Sequence, residues 1–467
     1  MVSWPAFSLD SFHSTPEEHY QGPPRNVKPI QEYKVKPELL PPSYEIKGTD
    51  LASNILFVNV NIIESSGREP YKGSVYIQGE RIVLVGSIPN EIELKRDPSV
   101  TVCDGKGRTI MSGLGDAHTH MTWNGDDINQ LGKMNADEHL LLTKNSAKCY
   151  LDSGYTMCFG AAAAKDYLDI AVRDAINAGS IPGPRSLANA REIAKTDGEL
   201  SPDISFMADN VDELDFRRIV RTIADLGADN IKLSMSGEAI TESRSAEDCY
   251  YTEEETRVAV EEAHKFGKRV CSHARARDSV IQSAKYDVDV IYHASYTCDE
   301  GMAILEEKKD RIVVAPAINW LWATLYDAEP FGYTFNSAEA MGYKRETEIA
   351  VAALREMHRR GIIVLPGGDY GFAWCPPGTY ARDLVHFHKL LDMTTHESII
   401  AATAGVGALM GRPHELGKIQ PGYYADLILV DGDPIQDLEI LQIHDRLNVI
   451  MINGRIHKAG PNDFIEN

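Results

Sequence analysis

The sequence predicts an α/β protein: a (β/α)8 barrel of the TIM type, carrying a small β-sandwich domain formed by both chain ends. Three observations predict this fold. Eight short apolar runs alternate with helix-like segments between residues 113 and 416. Strand-like sequence lies on both sides of that region. The span also suits such a barrel, for which ~200 to over 400 residues is normal.

The sequence on both sides of the central region is typical of β-strands. On the amino-terminal side, ILFVNVNII and KGSVYIQGERIVLVGS predict strands, with a turn at Gly79-Glu80-Arg81. On the carboxyl-terminal side, ADLILVDGDP and NVIMINGRI predict strands, with a turn at Asn453-Gly454. Because strand edges are rarely left unpaired, we expect residues 51–112 and 417–467 to form one composite sandwich.

The central region, residues 113–416, alternates strands and helices. Capping boxes at Thr252 with Glu255 and at Thr394 with Glu397 predict helix starts. Continuous apolar strands between helices are typical of parallel strands buried on both faces. A doubly wound open sheet is the alternative, although it would prefer a glycine fingerprint after its first strand, and the sequence has none. The eight runs are RTIMSGLGD, GYTMCFG, PRSLANA, DNIKLSMS, KRVCSH, VDVIYH, RIVVAPA and GIIVLPGGD.

Composition excludes several classes of protein. The 467 residues include 69 acids and 47 bases, for a formal charge of −22, which disfavours nucleic acid and anionic lipid as partners. The sequence has no apolar stretch of ~18 residues that would span a membrane. Seven scattered cysteines without a C-x-x-C pair, and no recognisable secretory signal, predict a cytoplasmic location. Residues 1–50 are rich in proline and predict an extended arm lying on the body or on a neighbouring subunit.

The sharpest local motif is D-A-H-T-H, which places His118 and His120 directly after the first apolar run. On a strand, residues two apart share a face, so the two imidazoles can bind one metal ion. Alone, this spacing is equally compatible with two hydrogen-bonded histidines at the start of a loop.

Four further polar residues strengthen the metal interpretation. Lys232 lies inside the fourth run, whereas the fifth, sixth and eighth runs end in His273, His293 and Asp369. In a barrel, the carboxyl ends of the strands carry the active site. A lysine within a buried strand is costly unless it is paired or modified. Nitrogen and carboxylate donors without thiolates suit Zn²⁺ or a similar divalent ion.

These motifs together resemble the metal-dependent amidohydrolase superfamily, in the branch near imidazolonepropionase, Xaa-Pro dipeptidase and ochratoxinase. The resemblance covers roughly residues 50–460. The motifs that carry it are MSGLGDAHTH, LDSGYT, GPRSLANAREI, GADNIKL, CSHAR, IYHAS, GGDYG and the segment from AATAGVG to LVDGDP.

The resemblance implies two divalent metal ions, with Zn²⁺ expected. His118, His120 and Asp369 would hold the first ion, and His273 and His293 the second. Lys232, carboxylated by CO₂, would bridge the two ions as a carbamate. It also implies that an activated water attacks the substrate carbonyl, and that Asp369 carries the proton to the leaving amine. Relatives in this branch assemble as homo-oligomers, so the same is expected here.

Substrate recognition is less determined by the sequence. Arg275 is a candidate clamp for a substrate carboxylate, with a surface arginine beside Arg277 as the alternative. An aromatic segment after the seventh run, from Trp320 to Phe335, predicts a loop that is either a lid or a packing surface. The sequence departs from the branch pattern at Ala294, Gly368 and Gly237-Glu238, beside the ligand positions.

Three functions compete. The first is a binuclear hydrolase of an amide bond in a peptide-like small molecule, an N-acyl amino acid or a dipeptide. The second is the same site acting on a lactone, carbamate or cyclic amide, or catalysing a decarboxylation, against which Lys232 argues. The third is a non-enzymatic scaffold, which the six filled ligand positions disfavour.

Overall fold

A computed structural model describes residues 2–12, 33–34, 39, 54–125, 128–196, 198, 200–208, 213–238, 245–460 and 463–465. Most of the proline-rich arm predicted for residues 1–50 lies outside the residues that the structure describes. In residues 2–12, Trp4 and Leu9 are buried against the body, and the Leu9 backbone N–H donates to Glu348 at 2.9 Å. Among the described residues, no helix is both long and apolar enough to cross a membrane.

The strands fall into one mixed sheet and two parallel sheets. In chain order they are β1 Asn54–Ile62, β2 Tyr71–Gln78, β3 Arg81–Gly86, β4 Val100–Asp104, β5 Thr109–Ser112, β6 Leu114–Thr119, β7 Tyr155–Gly160, β8 Arg185–Leu187, β9 Glu192–Ala194, β10 Ser205–Met207, β11 Asn230–Ser234, β12 Arg269–Ala274, β13 Val290–His293, β14 Val313–Ala315, β15 Ile363–Val364, β16 Leu427–Val430, β17 Leu447–Ile452, β18 Arg455–Lys458 and β19 Phe464–Ile465.

The helices lie mostly between strands of the central region. In chain order they are α1 Glu91–Arg96, α2 Ile128–Lys133, α3 Ala136–Asp152, α4 Leu168–Asn177, α5 Glu213–Asp225, α6 Glu253–Lys265, α7 Arg277–Lys285, α8 Asp299–Glu307, α9 Ile318–Tyr326, α10 Phe335–Ala340, α11 Tyr343–Arg360, α12 Arg382–Leu390, α13 Thr395–Ile400 and α14 Val406–Leu409. Both predicted capping boxes are formed, at the starts of α6 and α13.

The mixed sheet has nine strands and draws on both ends of the chain. Its path runs β18-β17-β16-β5-β1-β2-β3, so that β5 lies between the early β1 and the late β16. A bulge in β1 around Asn59, whose φ is 53°, lets one edge of β1 pair first with β4 and then with β5. The predicted turns are present: Gly79 has φ 62°, and Asn453 and Gly454 both have positive φ.

The central region forms two sheets of parallel strands, alternating with helices as predicted. One has three strands, β6-β7-β8, and the other seven, β10-β9-β11-β12-β13-β14-β15. From β11 to β15 each strand pairs with the next in the chain, without the order reversal that a doubly wound sheet contains. Among the described residues the strand pairing does not form one continuous closed ladder.

Two sequence expectations need correction. The first run, RTIMSGLGD, is not one strand: it divides at Gly113 into β5, in the mixed sheet, and β6, in a parallel sheet. A Cβ on Gly113 would lie 2.3 Å from Thr156, so the close approach of β7 requires glycine there. The aromatic segment after the seventh run is mainly helical rather than a loop, forming α9 and α10.

A buried ion pair joins the mixed sheet to β8. The Arg185 guanidinium, fully buried, donates to both carboxylate oxygens of Asp426 at 2.6 and 3.1 Å and to Asn453 at 2.7 Å. It also stacks on the Tyr424 ring at 4.0 Å. A bidentate arginine–carboxylate pair fixes both partners, so it holds the two parts of the structure in register.

Candidate metal centre and active site

The six predicted ligands lie in five strands or in the residues that follow them. His118 lies near the end of β6 and His120 directly follows that strand. Lys232 lies in β11, His273 in β12, and His293 is the last residue of β13. Asp369 follows β15. The parallel pairing of these strands brings their carboxyl ends to one side of the structure.

Asp369 lies at the middle of the histidine group. Its Oδ1 is 3.0 Å from His120 Nε2 and 3.6 Å from His118 Nε2, and its Oδ2 is 4.0 Å from His293 Nε2. Ligand atoms of His118, His293 and Asp369 all lie within 4.8 Å of one another. Three donors at such distances can share one cation.

His273 completes the histidine group through His293. The His273 Nδ1 and His293 Nε2 atoms are 3.0 Å apart, and the two ring centroids are 4.4 Å apart. The His273 Nε2 atom lies 3.4 Å from the Gly237 carbonyl oxygen. The structure therefore brings together His273 and His293, the histidines that end the fifth and sixth apolar runs, as the sequence predicts.

Lys232 points into the same region from β11. Its ammonium lies 3.9 Å from Glu192 Oε2 and 4.6 Å from the centroid of the Tyr292 ring. Tyr292 in turn stacks on His118, with ring centroids 3.7 Å apart. The lysine side chain is 2% exposed, so its charge is almost fully removed from water.

The donor atoms fit a bound cation. Nδ1 of His118 and Nδ1 of His293 are buried without a hydrogen-bond partner, and Nε2 of His120 and Oδ1 of Asp369, 3.0 Å apart, have only each other. Buried polar atoms are normally satisfied, and each one left over needs a partner that protein atoms do not supply. Neutral imidazoles and a carboxylate are the donors that Zn²⁺ and similar ions accept.

Burial and neighbouring groups set the pKa values of three of the histidines and of Asp369. Burial lowers the pKa of His118, His273 and His293 well below the ordinary value, which keeps the imidazoles neutral. Burial alone would raise the pKa of Asp369, but the neighbouring His118 and His120 rings and the Lys232 ammonium outweigh it and hold that pKa below its usual range. Both effects favour the metal-binding protonation states.

Backbone strain is concentrated at the same strand ends. His293, Ala294 and Asp369 have φ values of 68°, 53° and 59°, a region that residues with a Cβ seldom adopt. Such strain persists where the surroundings fix the conformation, and it is common at active sites. Close packing adds to it, since a Cβ on Gly367 would lie 2.7 Å from both Cβ and N of His118.

Several residues that support the ligands were not identified from the sequence. Asp116 Oδ1 accepts a hydrogen bond from the His118 backbone N–H at 2.8 Å, and its Oδ2 accepts one from the Tyr150 hydroxyl at 3.0 Å. The His120 ring stacks on Trp123 at 3.5 Å, and its Nδ1 is 2.9 Å from the Ala162 carbonyl oxygen. Asp116 stands in the D-A-H-T-H motif, so its position two residues before His118 was the available signal.

Arg275 lies in the interior rather than at the surface. Its guanidinium is fully buried; Nη2 lies 2.5 Å from Glu238 Oε2 and Nη1 donates to Glu346 Oε1 at 2.8 Å. The Tyr343 hydroxyl donates to Glu238 Oε1 at 2.5 Å. The surface alternative for Arg275 is therefore wrong, and its role as a carboxylate clamp remains a prediction.

An aromatic cluster extends from the predicted metal ligands toward solvent. Beyond Trp123, ring centroids follow one another at 5.1 Å to Phe372, 4.3 Å to Trp320 and 5.3 Å to Trp374. Phe331, 49% exposed, lies at the outer end, 6.0 Å from Trp374. The cluster gives one wall of the site an apolar, flat-faced surface.

Comparisons with known proteins agree with this geometry. A family model described as "Amidohydrolase family" matches residues 109–457. Ochratoxinase of Aspergillus niger is 24% identical over 458 residues, covering 89% of each chain. Imidazolonepropionase of Alkaliphilus metalliredigens is 22% identical, covering 82% of this chain and 90% of that protein. The solved structure of a Xaa-Pro dipeptidase with bound methionine superposes with a TM-score of 0.75 at 23% identity, covering 87% of this chain and 100% of that one.

Proposed function

Because the chain belongs to the amidohydrolase family and is a hydrolase acting on C–N bonds, we propose that it cleaves an amide bond in a peptide-like small molecule at a binuclear metal centre. N-acyl amino acids and dipeptides are the starting candidates. The observation that carries the proposal is the convergence of three imidazoles on one carboxylate: the Nε2 atoms of His118, His120 and His293 all lie within 4.0 Å of Asp369.

The six residues divide between two ions. His118, His120 and Asp369 would hold the first, and His273 and His293 the second, in keeping with the short distances within each group. Two divalent ions, such as Zn²⁺, supply an activated water with a pKa near ~7 and a Lewis acid for the substrate carbonyl when bound. The protein contributes a closed, low-dielectric setting for both.

Lys232 would complete the centre as a carbamate. Its neutral amine attacks CO₂, a C–N bond forms, and the nitrogen loses a proton to water. The carbamate would replace a buried cation, 3.9 Å from its Glu192 partner, by an anion that would help to hold the two ions. The change removes most of the cost of burying an ammonium at a position that is 2% exposed.

Asp369 would carry the proton through the reaction. Its carboxylate is held ionised. Oδ1 faces His120 Nε2 at 3.0 Å, whereas Oδ2 lies 4.0 Å from His293 Nε2, so Oδ2 is the atom that would accept a proton from the attacking water. The same atom then delivers the proton to the leaving nitrogen, which must be protonated before the C–N bond breaks.

The two parallel sheets would be arcs of one (β/α)8 barrel, with residues 113–416 as its extent and residues 51–112 and 417–467 as the sandwich. A hydrogen bond of 2.9 Å from Ala117 N–H to the Pro366 carbonyl links the start of one sheet to the residues after the end of the other, which supports closure. Residues 1–50 as an arm, assembly as a homo-oligomer, small-molecule substrates without nucleic-acid or membrane partners, and a cytoplasmic location remain predictions.

Three measurements test the function together. Metal analysis of the purified protein should give close to two divalent ions per chain, and native mass spectrometry should show one added CO₂ that Lys232→Arg removes. A screen of N-acyl amino acids, dipeptides and neutral N-acyl amines should find turnover. Asp369→Asn should lower kcat by at least ~10²-fold while the circular dichroism spectrum stays that of the parent. One ion or none, or full activity in Asp369→Asn, would discard the binuclear mechanism.

A further inference from the structure

Asp369 lies in a short turn that two hydrogen bonds tie to the start of α12. Two residues before Asp369, the Gly367 backbone N–H donates to Asp383 Oδ2 at 2.8 Å. Directly after Asp369, the Tyr370 hydroxyl donates to the Tyr380 carbonyl oxygen at 3.0 Å. Asp383 stands in the first turn of α12, and Tyr380 lies just before that helix. The start of α12 therefore holds the turn on both sides of the proposed metal ligand.

Asp383 has none of the partners that usually accompany a buried acid. An acid in the first turn of a helix is ordinarily exposed, where it favours the helix dipole. Asp383 is 1% exposed, and burial raises its pKa to about 7; the backbone N–H groups of Gly367 and Asn319 oppose that rise, and no described basic side chain contributes to it. A carboxyl group buried in this way is costly unless it accepts hydrogen bonds. The bond from Gly367 is therefore the contact that keeps Asp383 in the interior.

The carboxyl group of Asp383 stands where three parts of the structure meet. Asn319 belongs to the first turn of α9, and α12 contacts it a second time through His386, whose Nε2 is 3.1 Å from Asn319 Oδ1. The turn is also joined to α9 directly, because the Ala317 backbone N–H donates to the Gly367 carbonyl oxygen at 3.0 Å. Asp383 thus links α12 and the start of α9 to the turn that carries Asp369.

The turn has a conformation that needs such support. The φ of Asp369 is 59°, which a residue with a Cβ seldom adopts. The two residues before it, Gly367 and Gly368, have no Cβ and could adopt many other conformations. Local sequence alone therefore does not hold the Asp369 side chain in one place. A strained residue persists where its surroundings fix it, and the bond to Asp383 fixes the backbone two residues earlier.

We propose that Asp383 is a positioning residue for the proposed metal centre: by accepting the Gly367 N–H, it holds the turn so that the Asp369 carboxylate stays among the histidines. The inference rests on the proposed function, because it concerns a ligand of that site. Asp383 acts through the backbone of the turn and takes no part in the bond changes. The role requires an acceptor oxygen and not a charge, so asparagine should replace aspartate there.

The test compares three substitutions with a matched control. Asp383→Asn keeps an acceptor oxygen, Asp383→Ala removes it, and Asp383→Glu displaces it by one methylene group. Asp289 is the control residue, because it is also buried and accepts the Val270 backbone N–H at 2.9 Å, near the amino end of β12. It pairs with His264 as well, so Asp289→Ala should destabilise the fold at least as much as Asp383→Ala.

Three measurements are made on each folded variant. Hydrogen exchange of the peptide containing residues 366–370 reports on the turn, Co²⁺ affinity and the visible spectrum of the Co²⁺ protein report on the ligands, and kcat is measured with an amide from the substrate screen. For Asp383→Ala and Asp383→Glu we expect exchange and the Co²⁺ dissociation constant to rise at least about tenfold, and kcat to fall about 10²-fold. Asp383→Asn should stay within about threefold of the wild type in all three. Asp289→Ala should lower the melting temperature and leave all three unchanged.

The proposal is overturned if Asp383→Ala and Asp383→Glu exchange and bind Co²⁺ like the wild type, if Asp383→Asn is as damaging as Asp383→Ala, or if Asp289→Ala produces the same changes. It is also overturned if neither Asp383→Ala nor Asp383→Glu folds, since Asp383 would then serve the fold and not the site. A wild type that binds no Co²⁺ would remove the metal centre and this inference with it. A wild type that binds Co²⁺ but cleaves no amide would instead count against the proposed hydrolysis, while exchange and Co²⁺ binding still decide the role of Asp383.

Discussion

Gly367 offers a direct test of how tightly the proposed metal ligands are packed. Its backbone does not have positive φ, so Gly367→Ala is free of conformational strain, but the new Cβ would lie 2.7 Å from both Cβ and N of His118. Carbon atoms in van der Waals contact are ~3.5–4.0 Å apart, so the strand carrying His118 and the residues before Asp369 must separate by ~1 Å. A displacement of that size at a reacting centre costs about 10²-fold in rate.

The assay is kcat/KM with an amide found in the substrate screen, together with metal content and thermal unfolding. Gly301→Ala is the control, because Gly301 lies in α8 and its new Cβ would meet nothing nearer than 3.6 Å. We expect about 10²-fold lower kcat/KM and reduced metal content for Gly367→Ala, with wild-type activity for Gly301→Ala. If Gly367→Ala retains activity within threefold and binds the full complement of metal, the packing argument is wrong.

Two further predictions concern stability. Asp426→Asn removes a charge from the buried ion pair with Arg185 and should lower the free energy of unfolding, measured by urea titration, by about 3 kcal/mol. Glu439→Gln, which breaks an exposed ion pair with Lys389, should change it by less than ~1 kcal/mol. Equal effects of the two variants would contradict the argument from burial. Burial would raise the pKa of Glu262, but its hydrogen bonds with Arg221 and other bases lower that pKa to about 2, from an ordinary value of 4.5. Because the ionised carboxylate is favoured in the folded state, Glu262 stabilises the fold above pH 4.5, and this stabilisation is lost as the pH falls toward 2. Urea midpoints measured across this range should fall less steeply in Glu262→Gln, and an unchanged slope would refute the assignment.

The convergence of the histidines proposed as metal ligands could be predicted from the sequence because each lies close to a strand end that the apolar runs already mark. D-A-H-T-H, KRVCSH and VDVIYH each place a histidine within a run or directly after it, and parallel strands bring such ends together. Their spatial convergence follows from the order of the strands, so local sequence and topology were sufficient for His118, His273 and His293.

The supporting contacts could not be predicted in this way. Glu192 lies on the short β9, which has no apolar run of its own, and it approaches Lys232 only because β9 pairs with β11. The partners of Arg275 come from α11 and from the residues after β11, elements distant in the chain. Such pairs depend on how side chains of different elements pack together, and the periodicity of apolar residues along the sequence gives no information on this packing.

The first apolar run was misread for a related reason. Both halves of RTIMSGLGD are fully buried, so burial alone gives no sign that the chain passes from one sheet to another. The change of sheet depends on Gly113 approaching Thr156, which is a tertiary contact. In the same way, the aromatic segment has few helix signals, and it forms α9 because Trp320, Leu321 and their neighbours pack against the interior.

The position of β5 has a consequence for biosynthesis. β5 lies between β1, made early, and β16, which is more than three hundred residues later in the chain. During translation, one edge of β5 therefore stays without its neighbour until the ribosome has made almost the whole polypeptide. Any truncation that removes β16 exposes the same edge of β5 permanently, so shortened forms of the chain should aggregate through it even when the proposed metal ligands are all present.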